Sequence, residues 1–257
     1  MSLQFPPVPD IRLEKPPLAE VICQVRFPPL LSIISEDPAA FQERIRDQFP
    51  FMGLEHGFLV KLPGLGAAEQ PVAEPKTRIY RFHTADQQIT ISLAVDFYAV
   101  STTRYSHWHS FAEALSLACE AVRQVYRPSY ATRIGLRYIN RFTQANTGCA
   151  TATEMFDLLR PKLTSHVRDE AWGEATEMSC RLVLNDEGAK LSLGTDLGHV
   201  DGKPVFVLDF DYCEEGRLEM EGLVERCSRY NTVIYRAFRW AVPDDTLAVF
   251  QPQEISV

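Results

Sequence analysis

The feature that most constrains how this chain folds is a repeat in its order of predicted strands and helices. Arg26-Phe27 and Arg141-Phe142 each end a predicted strand, and 141 − 26 = 115 positions separate them. The same offset, applied without gaps, superposes Phe41 on Phe156, Leu93 on Leu208, Asp96 on Asp211 and Pro128 on Pro243. Self-similarity at one fixed separation is typical of a duplicated structural unit. The sequence therefore predicts two tandem copies of a β-α-β-β-β-α unit in one α+β domain.

The spacing of apolar residues predicts where these elements lie, because alternation favours strands and a spacing of three to four residues favours helices. The predicted strands are residues 18–27, 56–62, 77–83, 88–97, 131–142, 176–184, 189–195 and 204–212. Predicted helices begin at Asp37-Pro38 and Thr153, and two longer ones span 108–126 and 218–240. Residues 63–76 are predicted to form a loop.

The boundaries of the repeat, together with the prolines, divide the chain into four parts. Residues 1–17 contain five prolines, and proline lacks an N–H and restricts its predecessor, so this part is predicted to be an extended arm. The first repeat spans 18–128, the second spans 129–243, and 244–257 is a C-terminal strand or tail. Each repeat should form an antiparallel meander covered by its long second helix. Two such units side by side predict one largely antiparallel sheet, with long helices on one face and a concave face opposite.

The predicted strand 131–142 carries the strongest functional signal in the sequence. Alternation places three arginines on one strand face, while the intervening apolar residues face the predicted helices. The neighbouring predicted strands add one further arginine and two aspartates to the same face. The candidate ligand-binding residues are Arg26, Arg133, Arg137, Arg141, Asp209 and Asp211.

Three interpretations of this charged face stay open at the level of the sequence. The charges can form cross-strand ion pairs, each contributing roughly 0.2–1 kcal/mol. The arginines can instead hold an anion, such as a phosphate, a carboxylate or a nucleic-acid backbone. Asp209 and Asp211, spaced two residues apart on a strand, can also bind a divalent cation.

Charge and cysteine content narrow the classes of function. A net charge of −8 counts against a surface that tracks nucleic-acid phosphates, because such surfaces need clustered positive charge. No C-x-x-C pair occurs, and Cys23, Cys119, Cys180 and Cys227 lie in apolar segments. This pattern predicts buried thiols in a reducing cytosol rather than a zinc site. No signal peptide and no membrane span is recognisable, so a cytoplasmic protein without a cofactor is expected.

Three segments together carry a resemblance to a known family: PPLAEVICQVRFPP, RIGLRYINRF, and VFVLDFDY before the long C-terminal helix. From Pro16 to Pro243 the chain resembles a sporadically distributed family of bacterial and archaeal proteins of about this length. The resemblance implies a soluble accessory protein, as is common among mobile or defence-associated genes, and it supplies no catalytic residue. The order of elements is also similar to TATA-box-binding-protein-like and helix-grip folds, an analogy that does not fix function.

No linear catalytic motif is recognisable, since the chain lacks a Walker loop, G-x-S-x-G and H-E-x-x-H. We therefore expect a non-enzymatic binding protein whose arginine-bearing face contacts a partner protein, a second copy of the chain or an anionic small molecule. One alternative is a metal-dependent enzyme on a phosphorylated or nucleotide substrate, with Asp209 and Asp211 as metal ligands. Another is nucleic-acid binding in a saddle, which the net acidity disfavours.

Overall fold

The computed structural model describes residues 2–57, 77–168, 171 and 173–254. Its strands are β1 (Ile11–Leu13), β2 (Leu18–Arg26), β3 (Phe51–Gly57), β4 (Thr77–His83), β5 (Ile89–Ala94), β6 (Phe97–Thr102), β7 (Ala131–Thr143), β8 (Met178–Asp186), β9 (Ala189–Val200), β10 (Lys203–Leu218) and β11 (Pro252–Glu254). Its helices are α1 (Ser32–Ser35), α2 (Ala39–Ile45), α3 (Trp108–Val125), α4 (Gln144–Thr147), α5 (Ala152–Asp157), α6 (Pro161–Thr164), α7 (Leu223–Ala241) and α8 (Asp244–Leu247). Single-turn 3₁₀ helices lie at Ser165–Val167 and Ala248–Phe250.

Within these described ranges, nine strands form one sheet in the order β3-β4-β5-β6-β2-β7-β10-β9-β8. Every neighbouring pair in this sheet is antiparallel. The first strands of the two predicted repeats, β2 and β7, are neighbours at the middle, so both halves of the chain share the sheet. The predicted α+β class with a largely antiparallel sheet is confirmed.

The helices cover one face of this sheet. α3 buries Phe111, Leu115 and Val122, and α7 buries Tyr230 and Ile234. Intervals of four and seven residues place these side chains on one side of each helix. Among the described residues, the buried hydrophobic side chains of the helices all belong to one core, together with alternate residues of the strands. Burial of this apolar surface, worth about 25 cal/mol per Å², is the main force that holds the two layers together.

The first half of the sheet contains one strand more than the sequence predicts. A tight turn at Val95 and Asp96 divides the predicted strand 88–97 into β5 and β6. The backbone N–H groups of Phe27 and Leu30 donate to the carbonyl oxygens of Asp96 and Val95, at 2.9 and 2.8 Å. The three-strand meander predicted after the first helix of this unit is therefore wrong, because the apolar pattern continues through a turn that tertiary hydrogen bonds stabilise.

Several other boundaries also differ from prediction. The strand predicted at 56–62 lies earlier, as β3, while residues 58–62 and the predicted loop 63–76 are outside the described residues. In the second half, β10 continues to Leu218, and α7 begins five residues after the predicted helix start at 218, at Leu223. The predicted C-terminal strand or tail contains α8 and β11, and β11 pairs with β1.

The pairing of the central strands does not follow the ungapped offset of 115 residues. Val21 of β2 pairs with Thr102 of β6, so that offset predicts a pair between Leu136 and Arg217. Leu136 pairs with Tyr212 instead. The residue-by-residue register of the predicted repeat is therefore not the register of the sheet.

Asp96 and Asp211, which the offset superposes, also occupy unlike positions. Asp96 lies in the turn between β5 and β6, and its buried Oδ1 has no hydrogen-bond partner among the described residues. Asp211 lies within β10, with its half-buried side chain on the sheet face away from the helices. The two aspartates therefore do not share a structural role.

The N-terminal arm packs on the helical side of the molecule. The ring of Phe5 lies 5.8 Å from the ring of Trp240 in α7. The carbonyl oxygen of Pro9 accepts hydrogen bonds from the Tyr235 hydroxyl at 2.9 Å and from Nη1 of Arg239 at 3.0 Å. The arm therefore strengthens the helical layer and leaves the opposite face of the sheet free.

Candidate functional site

The candidate residues lie mainly on the sheet face away from the helices, which we call the open face. Along β7, Ile134, Leu136 and Tyr138 are buried against the helices. Arg133 and Arg137 alternate with them and are half-buried on the open face. Side chains alternate between faces because the strand backbone is pleated, and the sequence predicts this placement of the arginines.

Arg137 and Asp209 form a two-point ion pair between β7 and β10. Nε of Arg137 donates to Oδ1 of Asp209 at 2.9 Å, and Nη2 donates to Oδ2 at 2.7 Å. The pair is diagonal, since the residue directly opposite Arg137 is Asp211. The hydrogen bonds to Asp209 raise the pKa of Arg137, and the nearby carboxylate charges add to that effect. The protein's own carboxylate therefore holds this guanidinium in place.

Arg133 reaches Asp211 by lying across Gly135. Its Nη2 donates to both carboxylate oxygens of Asp211, at 2.8 and 2.9 Å. A Cβ atom at Gly135 would lie 2.5 Å from Nη1 of Arg133, so glycine leaves the space that the guanidinium occupies. Burial acts to lower the pKa of Arg133, but the charge and hydrogen bonds of Asp211 outweigh burial, and the pKa is raised. Gly135 is thus part of the site, although nothing in the sequence distinguishes it.

Arg26 and Arg141 have no carboxylate partner among the described residues. Nε of Arg26 donates only to the neutral Oε1 of Gln24, at 3.2 Å. Arg26 is directly opposite Arg133 on β7 and directly opposite Phe97 on β6. Like charges directly opposite one another destabilise a sheet, so the charge of Arg26 is poorly compensated by the side chains that the structure describes. Arg141 is exposed.

The two aspartates are engaged by the arginines rather than free to coordinate a metal. Both oxygens of Asp209 and both oxygens of Asp211 accept hydrogen bonds from a guanidinium. In the part of the chain that the structure describes, no three histidine, cysteine, aspartate or glutamate side chains are arranged to hold a metal ion. A cation at this place would have to displace an arginine from each aspartate that it used.

An apolar patch lies beside Arg26 on the open face. It consists of buried Ala94, Phe97 and Ala99, with Ile22 and Ile79 packed against them. These five side chains are separate from the main core, because they lie on the other side of the sheet. Sequence reasoning missed this patch, since the single strand predicted at 88–97 ended where β6 begins. The continuous apolar run from Phe97 to Val100 was the available signal, because such a run is typical of a strand buried on both faces.

The cysteines only partly match their predicted burial. Cys23, Cys119 and Cys227 are buried as predicted, whereas Cys180 is exposed on the edge strand β8. The Sγ atoms of Cys23 and Cys227 are 3.6 Å apart between β2 and α7. Their mutual hydrogen bond and burial raise the pKa of Cys23 well above its ordinary value. These thiols belong to the core, whereas the prediction for Cys180 is wrong, because β8 is the last strand of the sheet in the described residues and most of its side chains are exposed.

A cleft of about 490 Å³ lies away from the candidate residues. It is bounded by the β4–β5 turn and the start of α3, with Arg104, His107 and Ser110 in its wall. His107 serves α3 structurally, because its Nδ1 accepts a hydrogen bond from the backbone N–H of Ser110 at 3.2 Å. The cleft is therefore shaped by a capped helix end, and the charged residues predicted from the sequence do not line it.

Comparison with protein-family models and with curated protein sequences found no match for this chain. Among the helices that the structure describes, none is both long enough and apolar enough to span a lipid bilayer.

Proposed function

We propose that this chain is a non-enzymatic binding protein whose open face docks a partner protein. The observation that carries the proposal is the composition of this face, which none of the described helices covers. Aspartates compensate Arg133 and Arg137, whereas Arg26 and Arg141 have no acidic partner within the described ranges. Antiparallel sheets often leave one face to solvent, but that face then carries mainly polar residues. Here it also carries the apolar patch.

A protein partner suits this mixture better than a free anion does. An anion that bound Arg133 or Arg137 would have to compete with carboxylates already in two-point contact. Protein interfaces combine a buried apolar centre with arginine-rich polar surroundings, and the open face carries apolar side chains beside its arginines. The paired arginines would then fix the shape of the face, while Arg26 and Arg141 would make the new contacts.

The two other functions suggested by the sequence have less support. A metal-dependent enzyme would need Asp209 and Asp211 as ligands, and both are occupied by arginines. Nucleic-acid binding needs clustered positive charge, whereas the net charge is −8 and aspartates lie between the arginines. A cytoplasmic location and a mobile or defence-associated role remain part of the proposal. They rest on six free cysteines, which are typical of a reducing compartment, and on the family resemblance.

We also propose that the chain arose by duplication of one structural unit. The sheet order supports the duplication, because β2 and β7 are central. Outward from β2 lie β6, β5, β4 and β3, and outward from β7 lie β10, β9 and β8, so the strands of both halves follow in reverse chain order. A recurring contact supports it too: Arg81 donates to Ser92 at 3.0 Å in the first half, and Arg181 donates to Ser192 at 2.7 Å in the second. The turn at Val95-Asp96, which adds a strand to the first half, would then be a later change in the first copy.

The docking proposal can be tested by affinity purification from the source cells. The open-face variant is Arg141→Glu with Val207→Glu, because these residues are directly opposite each other on that face. The control is Arg46→Glu, an arginine at the end of α2 whose side chain is 59% exposed. We expect wild type and control to retain the same co-purifying chains and the open-face variant to lose them. Equal retention by all three proteins, with unchanged melting temperatures, would contradict the proposal.

A further inference from the structure

We propose that the edge strand β8 pairs with the same strand of a second copy of this chain, so that two chains share one continuous sheet. The two strands run antiparallel and are related by a two-fold axis beside Leu182, the middle residue of β8. This inference goes beyond the proposed function, because it assigns an interaction surface other than the open face.

β8 is an edge strand without the usual protection against pairing. It is the last strand of the sheet in the described residues, and its nine residues pair with β9 without a bulge. Proteins commonly shield an edge with prolines, lysines, bulges or a very short strand, and β8 contains neither proline nor lysine. Leu182 and Val183, which point to opposite sides of the sheet, are 47% and 52% exposed. Apolar surface is therefore free at this edge on both sides of the sheet.

The two charged side chains of β8 leave its edge open. Nε of Arg181 donates to the Ser192 hydroxyl at 2.7 Å, so the guanidinium is held against β9. Asp186 accepts a hydrogen bond from the Tyr212 hydroxyl at 2.8 Å, so its carboxylate is directed towards β10. Both charges therefore point inward along the sheet, and neither blocks a strand that approaches the edge.

The backbone of β8 offers a regular set of free hydrogen-bonding groups. The two-residue turn Glu187-Gly188, in which both φ angles are positive, joins β8 to β9. Asp186 and Ala189 flank this turn and are opposite each other, so they form a hydrogen-bonded pair. Hydrogen-bonded and non-hydrogen-bonded pairs alternate along antiparallel strands, so the even-numbered residues of β8 bond to β9. The odd-numbered residues direct their N–H and C=O groups outward: Ser179, Arg181, Val183 and Asn185.

Antiparallel pairing about Leu182 uses all of these outward groups. Ser179 then lies opposite Asn185 of the second copy, and Arg181 lies opposite Val183. Each such pair can exchange two hydrogen bonds. A shift of the register by two residues would leave one outward residue of each copy without a partner in β8. Pairing about Leu182 is therefore the register with the most backbone hydrogen bonds.

The side chains of β8 also complement one another in this register. On the helical side of the sheet, where Leu184 packs against the core, Leu182 meets its own equivalent and Cys180 meets Leu184. Like charges directly opposite one another destabilise strand pairing, and this register brings none together within β8. The strand is thus its own complement in backbone and side chains, which identifies a second copy of the chain as the occupant.

The geometry of this pairing fixes how the two copies are arranged. Directly opposite residues of an antiparallel pair point to the same side of the sheet, so both open faces lie on one side of the dimer. One pair of strands is a small interface, and interfaces below roughly 1,200 Å² are typical of weak complexes, so we expect a dissociation constant on the order of 10 µM.

Analytical ultracentrifugation of charge-swapped variants tests this inference. Leu182→Lys and Leu182→Glu each place like charges opposite one another at the two-fold axis, so each variant alone should dimerise at least ten-fold more weakly than wild type. An equimolar mixture of the two should dimerise again, because lysine then meets glutamate. The control is Leu54→Lys on β3, since Leu54 is as exposed as Leu182, at 47%. The control should dimerise like wild type, and melting temperatures of dilute samples check that every variant is folded.

Disulfide crosslinking tests the register. All variants carry Cys180→Ser, and oxidised glutathione takes up the two hydrogens that the thiol pair loses. Leu182 and its equivalent form a non-hydrogen-bonded pair, in which the Cα atoms lie about 4.5 Å apart, within the range that a disulfide needs. Leu182→Cys should therefore crosslink two chains. Ser179→Cys should not, because its equivalent lies about 20 Å away along the paired edge.

The outcomes that would overturn the inference are distinct from those that test the proposed function. A wild type that stays monomeric up to about 200 µM would overturn it, as would a dimer that neither charge at position 182 weakens or a mixture that does not dimerise again. Crosslinking at position 179 as strong as at position 182 would contradict the register. The variant Arg141→Glu with Val207→Glu, which tests open-face docking, should dimerise like wild type, so the two proposals can fail independently.

Discussion

Removing the Arg137–Asp209 ion pair should expose a measurable coupling between two strands of the open face. The perturbation is a double-mutant cycle: Arg137→Ala, Asp209→Ala and both together. Such a cycle isolates the interaction between the two side chains from the separate effects of each truncation. The two-point geometry, with contacts of 2.9 and 2.7 Å, makes the pair a well-defined target.

The expected magnitude follows from the exposure of the pair. Two unit charges 4 Å apart attract by about 1 kcal/mol in water and about 4 kcal/mol near a protein surface. The Arg137 side chain is 43% exposed and the Asp209 side chain 19%, so solvent screening and side-chain ordering remove much of this attraction. We therefore expect a coupling of about 1 kcal/mol. For Arg133 and Asp211, which are 22% and 23% exposed, we expect the larger value of about 1.5 kcal/mol.

Urea unfolding, followed by tryptophan fluorescence, measures both cycles. The matched control is the exposed pair of Arg46 and Glu43, separated by 3.2 Å and about 60% exposed, for which the coupling should stay below about 0.5 kcal/mol. Couplings below about 0.3 kcal/mol in both open-face cycles would refute the view that the aspartates hold the arginines. A larger coupling energy for the Arg137–Asp209 pair than for the Arg133–Asp211 pair would refute the view that burial of the side chains strengthens the coupling.

Three further perturbations test other parts of the structure. In wild type, Gly135→Ala should not stabilise, because its Cβ meets the Arg133 guanidinium; in an Arg133→Ala background it should stabilise by about 0.5–1 kcal/mol, and urea unfolding measures both. Burial raises the pKa of Tyr126 to about 12, above the value of about 10 in unfolded chains. The stability that protonated Tyr126 contributes is therefore complete below about pH 10 and is lost towards pH 12. Melting curves at pH 8, 10 and 11 should reveal this loss. Phe142 is fully buried against the rings of Phe206 and Phe250, so Phe142→Ala should cost about 3–5 kcal/mol of unfolding free energy; a loss under 1 kcal/mol would contradict its place in the core.

Long periodic segments could be predicted from the sequence, and tertiary hydrogen bonds decided where prediction failed. Strand 131–142 was placed within one residue, because the apolar residues Ile134, Leu136, Tyr138 and Phe142 recur at every second or fourth position between the arginines. The strand at 88–97 was not, because its division at Val95 and Asp96 depends on hydrogen bonds from Phe27 and Leu30, which are distant in sequence. Local pattern carries no information about such contacts.

For the candidate site, the sequence predicted the face but not the contacts. Alternation alone put Arg133, Arg137 and Asp211 on the same side of the sheet. Which arginine meets which aspartate depends on β7 lying beside β10 and on Arg133 reaching across Gly135, and both are properties of the folded chain. The apolar patch was missed for a related reason, since it assembles from four different strands. The arginine–aspartate pairs and the apolar patch could therefore be recognised only in the structure.

Arginine footprinting of the native complex tests open-face docking most directly. The complex is purified from the source cells and treated with phenylglyoxal, either intact or after dissociation in high salt, and the modification of each arginine is quantified by mass spectrometry. We predict that the partner protects Arg26 and Arg141 at least five-fold, while Arg46 on the helical side reacts equally in both states. Protection confined to Arg46 and other helical arginines, with Arg26 and Arg141 unchanged, would contradict the account.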